Sequence, residues 1–288
     1  MGACAPRQCF TRRSARARAA VGRVGRSELA TRLDDDERTM MRDELVVHAT
    51  DVSRTVSGRV IDAVFLDGHP VSRIVAFVEE HAVSRIVMST RRRGGLTRLW
   101  LGSVSTSLLR SLTCPVLRVR AEVDAPVDPA KPLVRRLLVP LDDWEGSQAM
   151  LPHLLALADG LHADWHLFTT VGPGPYTSGG PVPGVGAPCD VIDVITVGAT
   201  SAAAERLTRL AAELRSRFDS ITTCVSTVAP PAAGILDHAE KPALGLIAIS
   251  FHGRQKFGRV LFGGTTDKVV RGAQTPVLVH RPPYALTS

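Results

Sequence analysis

The residues best suited to chemistry lie late in the chain. Ser250-Phe251-His252-Gly253 follow an apolar run, and after nine further residues Gly263-Gly264-Thr265-Thr266 open a second amphipathic stretch. A turn after a parallel strand, followed by the free amides of a helix N-terminus, is how a parallel sheet holds an anion at its carboxyl edge. Glycine lets the backbone approach phosphate oxygens closely. The two threonines add hydroxyl donors, and Arg254, Lys256 and Arg259 in the intervening loop offer counter-charge. Spacing alone leaves phosphate binding and a plain strand-to-helix turn equally weighted. The chain has no GxxxxGK followed by Ser or Thr, which excludes a P-loop nucleotidase. Asp142, closing Val139-Pro140-Leu141-Asp142, is the other candidate. Its neighbour Asp143 reads as a solvated acid, because no third ligand has metal spacing. His252 reads as a loop histidine facing solvent, and Cys114, before Pro115, as a small buried residue rather than a reactive thiol. The scattered histidines form no Ser/His/Asp set, and no GxSxG elbow occurs, so no enzyme chemistry is expected.

Alternating strands and helices must position these residues. Leu137 to Leu141 is a short apolar run, and Ser147 to Leu161 carries apolar residues at helical spacing. Trp165 to Thr170 is a second strand, after which Gly172 to Pro188 is too rich in glycine and proline to be regular. The pattern then predicts a helix over Ser201 to Phe218, a strand over Thr222 to Val228 and a helix over Ala232 to Ala239. A buried strand over Leu244 to Ile249, a helix over Thr265 to Gly272 and a strand over Val277 to Val279 complete it. Such alternation implies a parallel sheet with helices on both faces. Val191 to Val197 is apolar and has no place in this scheme.

The chain also repeats itself. An offset of 161 residues brings Pro70 onto Pro231, Ile86 onto Ile247, Ser89 onto Ser250, Gly102 onto Gly263 and Pro115-Val116-Leu117 onto Pro276-Val277-Leu278, without a gap. A repeat this long is a duplicated domain rather than a solenoid unit. The first copy is short: the counterpart of the strand at 137–141 would fall before Met1, so two strands and a helix are missing. What remains reads as a helix from Glu28 to about Val56, a third strand over Ile61 to Leu66, and a helix over Val71 to His81. A fourth strand over Arg85 to Met88, a helix over Val104 to Ser111 and a last strand over Val116 to Val119 follow. The organisation expected is a disordered leader over 1–26, a truncated unit over 27–121, a proline-rich linker over 122–134 and a complete unit over 135–283. Either the leader is disordered or the start is misassigned.

Charge supports that division. Residues 1–26 hold seven arginines and no acid or lysine, so the formal net charge of +7 is the leader's and the remainder is neutral. A neutral body argues against a nucleic-acid partner. Five cysteines, an odd and widely spaced number without a CxxC, indicate a reducing, cytoplasmic setting and no structural zinc. No stretch is apolar enough to span a membrane.

The glycine pattern with its following hydroxyl, an aspartate ending the first strand and Pro-Val-Leu-Val in the last resembles the universal stress protein family, over about 61–120 and 135–281. The resemblance implies a tandem of five-stranded parallel sheets, strand order 3-2-1-4-5, of the adenine nucleotide alpha hydrolase type, with the first unit incomplete. It implies adenine-nucleotide binding, ATP with magnesium left open, mainly in the second unit and in the service of a stress response. Pro140, Leu141, Asp142 and Val171 would lie toward the adenosine, and Gly253, Arg254, Gly263, Gly264, Thr265 and Thr266 around the phosphates. Ser250 replaces the first motif glycine and Gly264 the serine after the third. In the first unit Gly94, Gly95, Gly102 and Ser103 match the back half of the motif, whereas Ser89 and Arg92 stand at the first two glycine positions and the aspartate has no counterpart. The alternative is a nucleotide-free adaptor that keeps the fold. An ATP pyrophosphatase is more distant, since its serine-glycine-glycine loop is absent after Leu141. Family members pair through their last strands, so Val116 to Arg120 and Val277 to His280 should meet antiparallel as a pseudo-dimer within one chain, with unpaired edges open to a homodimer.

Overall fold

The computed structural model describes residues 35–55, 61–91, 102–121, 134–142, 145–158, 163–172, 189–218, 220–228, 230–240, 245–250, 254–256, 259–261 and 264–282. The expected leader and nearly all of the linker lie outside them. The chain divides into two compact units, Met1–Phe77 and Val78–Ser288.

The first unit holds helix α1 (Asp35–Thr55), in which Leu45 and Ala49, one turn apart, are buried. Residues 61–67 run without regular structure, held by an ion pair of Arg38 with Asp67 at 3.3 Å and by the Arg42 guanidinium over the Phe65 ring at 5.2 Å. The strand expected over Ile61 to Leu66 does not form. In the order 3-2-1-4-5 a third strand can pair only with the second, and among the described residues of this half none forms that strand, so an extended segment here has no ladder in which to place its backbone donors. Helix α2 (Pro70–Glu80) follows, with proline at its first position where no donor is lost. It ends in a Schellman motif: Ala82 takes a left-handed φ of 47°, while the Val83 amide donates to the Val78 carbonyl at 3.0 Å and the Ala82 amide to the Glu79 carbonyl at 3.4 Å.

The second unit is built on a seven-stranded sheet. In chain order its members are β1 (Ile86–Arg91), β2 (Val116–Ala121), β3 (Arg136–Pro140), β4 (Asp164–Thr170), β5 (Ile221–Ser226), β6 (Leu246–Ser250) and β9 (Val277–His280), with β7 (Arg254–Lys256) and β8 (Arg259–Leu261) forming a separate hairpin. The helices are α3 (Ser103–Ser111), a 3-10 turn at Glu145–Met150 running into α4 (Leu151–Ala158), α5 (Cys189–Leu214), α6 (Pro231–Ala239) and α7 (Gly264–Gly272). Spatial order is β1-β2-β9-β6-β3-β4-β5. The five strands of the second repeat thus lie 3-2-1-4-5, all parallel. The last strands of the two repeats adjoin, β2 antiparallel to β9 with Val116 opposite Val279 and Arg118 opposite Val277. On the outer side β1 pairs in parallel with β2.

The central strands are apolar throughout because both faces are covered. On one face Leu137, Val139, Trp165 and Leu167 meet Leu207, Ala211 and Leu214 of α5 and Met150 and Leu154. Alternate residues such as Leu138, Phe168 and Ile247 point the other way, and there α6 lays His238 against the Phe168 ring. Val191 to Val197 belongs to α5, which starts twelve residues earlier than the periodicity from Ser201 implied. At the β2–β9 seam, Arg281 donates from Nε to the Leu112 carbonyl at 3.3 Å and from Nη2 to the Ser111 carbonyl at 3.2 Å, placing a cation on the last carbonyls of α3. Among the described residues no helix is long and apolar enough to cross a membrane.

Candidate functional site

β3 and β6 lie side by side, with Leu138 beside Ile247. From β3 the chain moves outward to β4 and β5, whereas β6 leads to β9 on the other side. Such a reversal of strand order marks the carboxyl ends of the two strands as the place where open α/β sheets form a ligand-binding crevice.

Pro140 ends β3 and is buried. Leu141, also buried, donates its amide to the Phe168 carbonyl at 2.7 Å, which fixes the chain as it leaves the sheet. Asp142 then emerges exposed, its carbonyl accepting from the Ser147 hydroxyl at 3.1 Å. Val171 follows β4, its amide donating to the Ser226 carbonyl at 2.8 Å. Pro140, Leu141, Asp142 and Val171 therefore stand on one edge of the sheet, beyond neighbouring strands.

Ser250 ends β6, in register with His280 of β9. Its hydroxyl oxygen is buried and has no hydrogen-bond partner among the described residues. A buried hydroxyl left without a partner costs about 1–3 kcal/mol, so a donor or acceptor arriving at this edge would meet an unspent group. Gly253 and Gly263 lie outside the described residues. Arg254 opens β7, which pairs antiparallel with β8, Arg254 opposite Leu261 and Lys256 opposite Arg259. The segment expected to be a loop is thus a hairpin carrying the three basic residues.

Gly264, Thr265 and Thr266 form the first turn of α7. Thr266 is buried, 5% exposed, and Thr265 is half-buried. A Cβ on Gly264 would meet nothing within 4 Å, so no close approach demands glycine there. Asp267 in the same turn is paired with Arg271 at 2.8 Å, so the nearest acid carries its own cation. What the arrangement can do is present amides and hydroxyls to an anion at one end and a carboxylate to a polar group at the other. In the first repeat the matching Gly102 precedes α3, with Thr106 donating to its carbonyl at 3.0 Å, while 92–101 lie outside the described residues.

Beside the edge of the crevice, two histidines share the interior. His280, 4% exposed, has its ring 4.2 Å from that of His153. Burial, then the charge of His153, push the His280 pKa down to about 4 from 6.5, against a raising hydrogen bond to the Thr113 backbone. His153 is lowered by burial and then by Arg85. The remote spacing of these residues gives no sequence signal for their contact. Burial also raises the Cys114 thiol, against an opposing backbone hydrogen bond.

Comparison with known proteins places this geometry. The profile described as "Universal stress protein family" matches residues 13–120 and 134–281. A universal stress protein of Mycolicibacterium smegmatis is 28% identical over 201 residues, 68% of this chain and 61% of the relative. One from Methanocaldococcus jannaschii is 42% identical over 55 residues, 19% of this chain and 32% of the relative. The chain thus spans less than two thirds of the length of these relatives. A crystal structure of a universal stress protein from Archaeoglobus fulgidus superposes with a TM-score of 0.62 at 19% identity, over 88% of this chain and 85% of that one. Another structure, from Pseudomonas aeruginosa, gives 0.56 at 16% identity, over 82% and 78%.

Proposed function

Because this chain belongs to the universal stress protein family, we propose that it works by binding an adenine nucleotide, ATP in the first instance, at the carboxyl edge of β3 and β6. One observation carries the reading most: the buried, unpartnered Ser250 hydroxyl ends β6 beside the strand that delivers Asp142 to the same crevice. Asp142 would accept from the adenosine end, and Pro140, Leu141 and Val171 would line it. The amides of Gly264, Thr265 and Thr266, with the hydroxyls of both threonines and the helix dipole, would hold phosphate oxygens. By motif spacing, Gly253, Arg254 and Gly263 would complete the phosphate end. Among the described residues none stands as an evident base, which supports a nucleotide acting as a ligand rather than as a substrate. The setting is a cytoplasmic stress response, in which the β2–β9 ladder makes the two repeats a pseudo-dimer and the outer edges β1 and β5 remain for a second copy.

Calorimetric titration of the full chain with ATP tests the proposal. Saturable binding that is lost in Asp142→Ala and weakened in Thr266→Ala supports it, and absence of heat at millimolar ATP refutes it. A second reading, a nucleotide-free adaptor, is favoured by Gly264, which opens α7 where the motif carries a serine hydroxyl. It is supported instead if the melting temperature stays fixed in excess ATP, since any ligand selective for the native state must raise it.

A further inference from the structure

The α6 face of the sheet carries a second group of donors, away from the crevice and independent of nucleotide binding. One ring nitrogen each of His166 and His238 and the sulfur of Cys224 lie within 4.8 Å of one another. They come from three elements: β4, α6 and β5. His166 stands two residues before Phe168, whose register partner is Cys224, so both donors project from one face of adjacent strands. α6 supplies the third. A Cβ at Gly234 would meet Ser226 Oγ at 3.2 Å and Thr170 Oγ1 at 3.5 Å, so glycine lets the helix lie close on β4 and β5. One turn later His238 stacks on His166, ring centroids 4.5 Å apart at an interplanar angle of 15°.

From this geometry we propose a zinc-binding site formed by His166, Cys224 and His238. Imidazole and thiolate without carboxylate select a borderline or soft metal over calcium or magnesium. Metal–donor lengths of about 2.0–2.3 Å mean the three atoms need draw together by about 1 Å, with the His238 ring turning out of its stack on His166 so that its in-plane lone pair reaches the metal. The orientation of His166 is prepared by its neighbours. With the Thr222 hydroxyl giving its one proton to the Trp165 carbonyl at 3.3 Å, its oxygen would accept from His166 Nδ1, to which it is hydrogen-bonded. That tautomer leaves the lone pair on Nε2, the arrangement in which a second partner aims a metal-binding histidine. β5 is the last strand of the sheet, and His166 and Cys224 are part-exposed, which provides an entry path. Binding releases the Cys224 proton and leaves a fourth position for water or an incoming donor.

The test uses the full chain stripped of metal. Addition of Co2+ as the optical stand-in for Zn2+ is expected to give a sulfur-to-cobalt charge-transfer band and intense tetrahedral visible bands, both abolished by stoichiometric Zn2+. Cys224→Ser should lose the charge-transfer band. Thr222→Val, which removes no donor, should weaken Zn2+ about 10-fold in competition with a chromophoric chelator, with unchanged far-ultraviolet circular dichroism. Only weak octahedral cobalt bands in the unaltered chain would overturn the site, whatever the variants do. So would a charge-transfer band that survives in folded Cys224→Ser, which would assign the metal to another thiol.

Discussion

Replacing His280 by glutamine should flatten the acid dependence of stability. In the folded chain His280 resists protonation until about pH 4, because the proton would be placed in the interior beside His153; unfolded, it accepts the proton near 6.5. The unfolded state therefore binds more protons between these values, so the contribution is full above 6.5 and is lost as pH falls to about 4. At about 1.4 kcal/mol per pH unit, the loss is on the order of 3 kcal/mol. Urea unfolding followed by circular dichroism, at steps from pH 7 to pH 4, measures it. The carboxylates titrate alike in both proteins, so the difference between the two curves isolates the histidine. His280→Gln is expected to start less stable at pH 7, having lost the ring against His153, and to narrow the gap by on the order of 3 kcal/mol at pH 4. Parallel curves would refute the burial argument. The position also bears on the candidate site, because His280 is the register partner of Ser250.

Other outcomes are equally specific. Ala82→Gly should stabilise the chain by about 1 kcal/mol by relieving the left-handed backbone at the end of α2, read as a raised urea midpoint. Trp165→Ala removes a side chain 1% exposed and stacked on Phe218 at 4.5 Å; a loss of about 3–5 kcal/mol is expected, and a loss under about 1 kcal/mol would show that the core closes around the gap. Cys114, its thiol raised by burial, should alkylate with iodoacetamide at pH 8 more slowly than a small-molecule thiol, as followed by peptide mass mapping.

Much of this protein could be read from residue order. Strand and helix in the second repeat follow from local periodicity, and the 3-2-1-4-5 order from the motif residues that carry the family resemblance, because a buried parallel strand and an amphipathic helix each write their environment into a few neighbouring residues. The spacing of the glycine motif located Ser250 and Thr266 by the same short-range logic. Three features had no local signature. Ile61 to Leu66 looks like a strand to any window of six residues, yet a strand exists only by its partner, and no strand among the described residues pairs with it. Val191 to Val197 has no helical face of its own; it is helical as the first turns of α5. The cluster of His166, Cys224 and His238 draws on positions far apart in the chain, with no spacing to betray it. Sequence determines what each segment can bury, through periodicities that act over a few residues. Only the tertiary structure decided which distant side chains share a volume, because strand register and the approach of α6 at Gly234 bring them together and neither leaves a trace in the order of neighbouring residues.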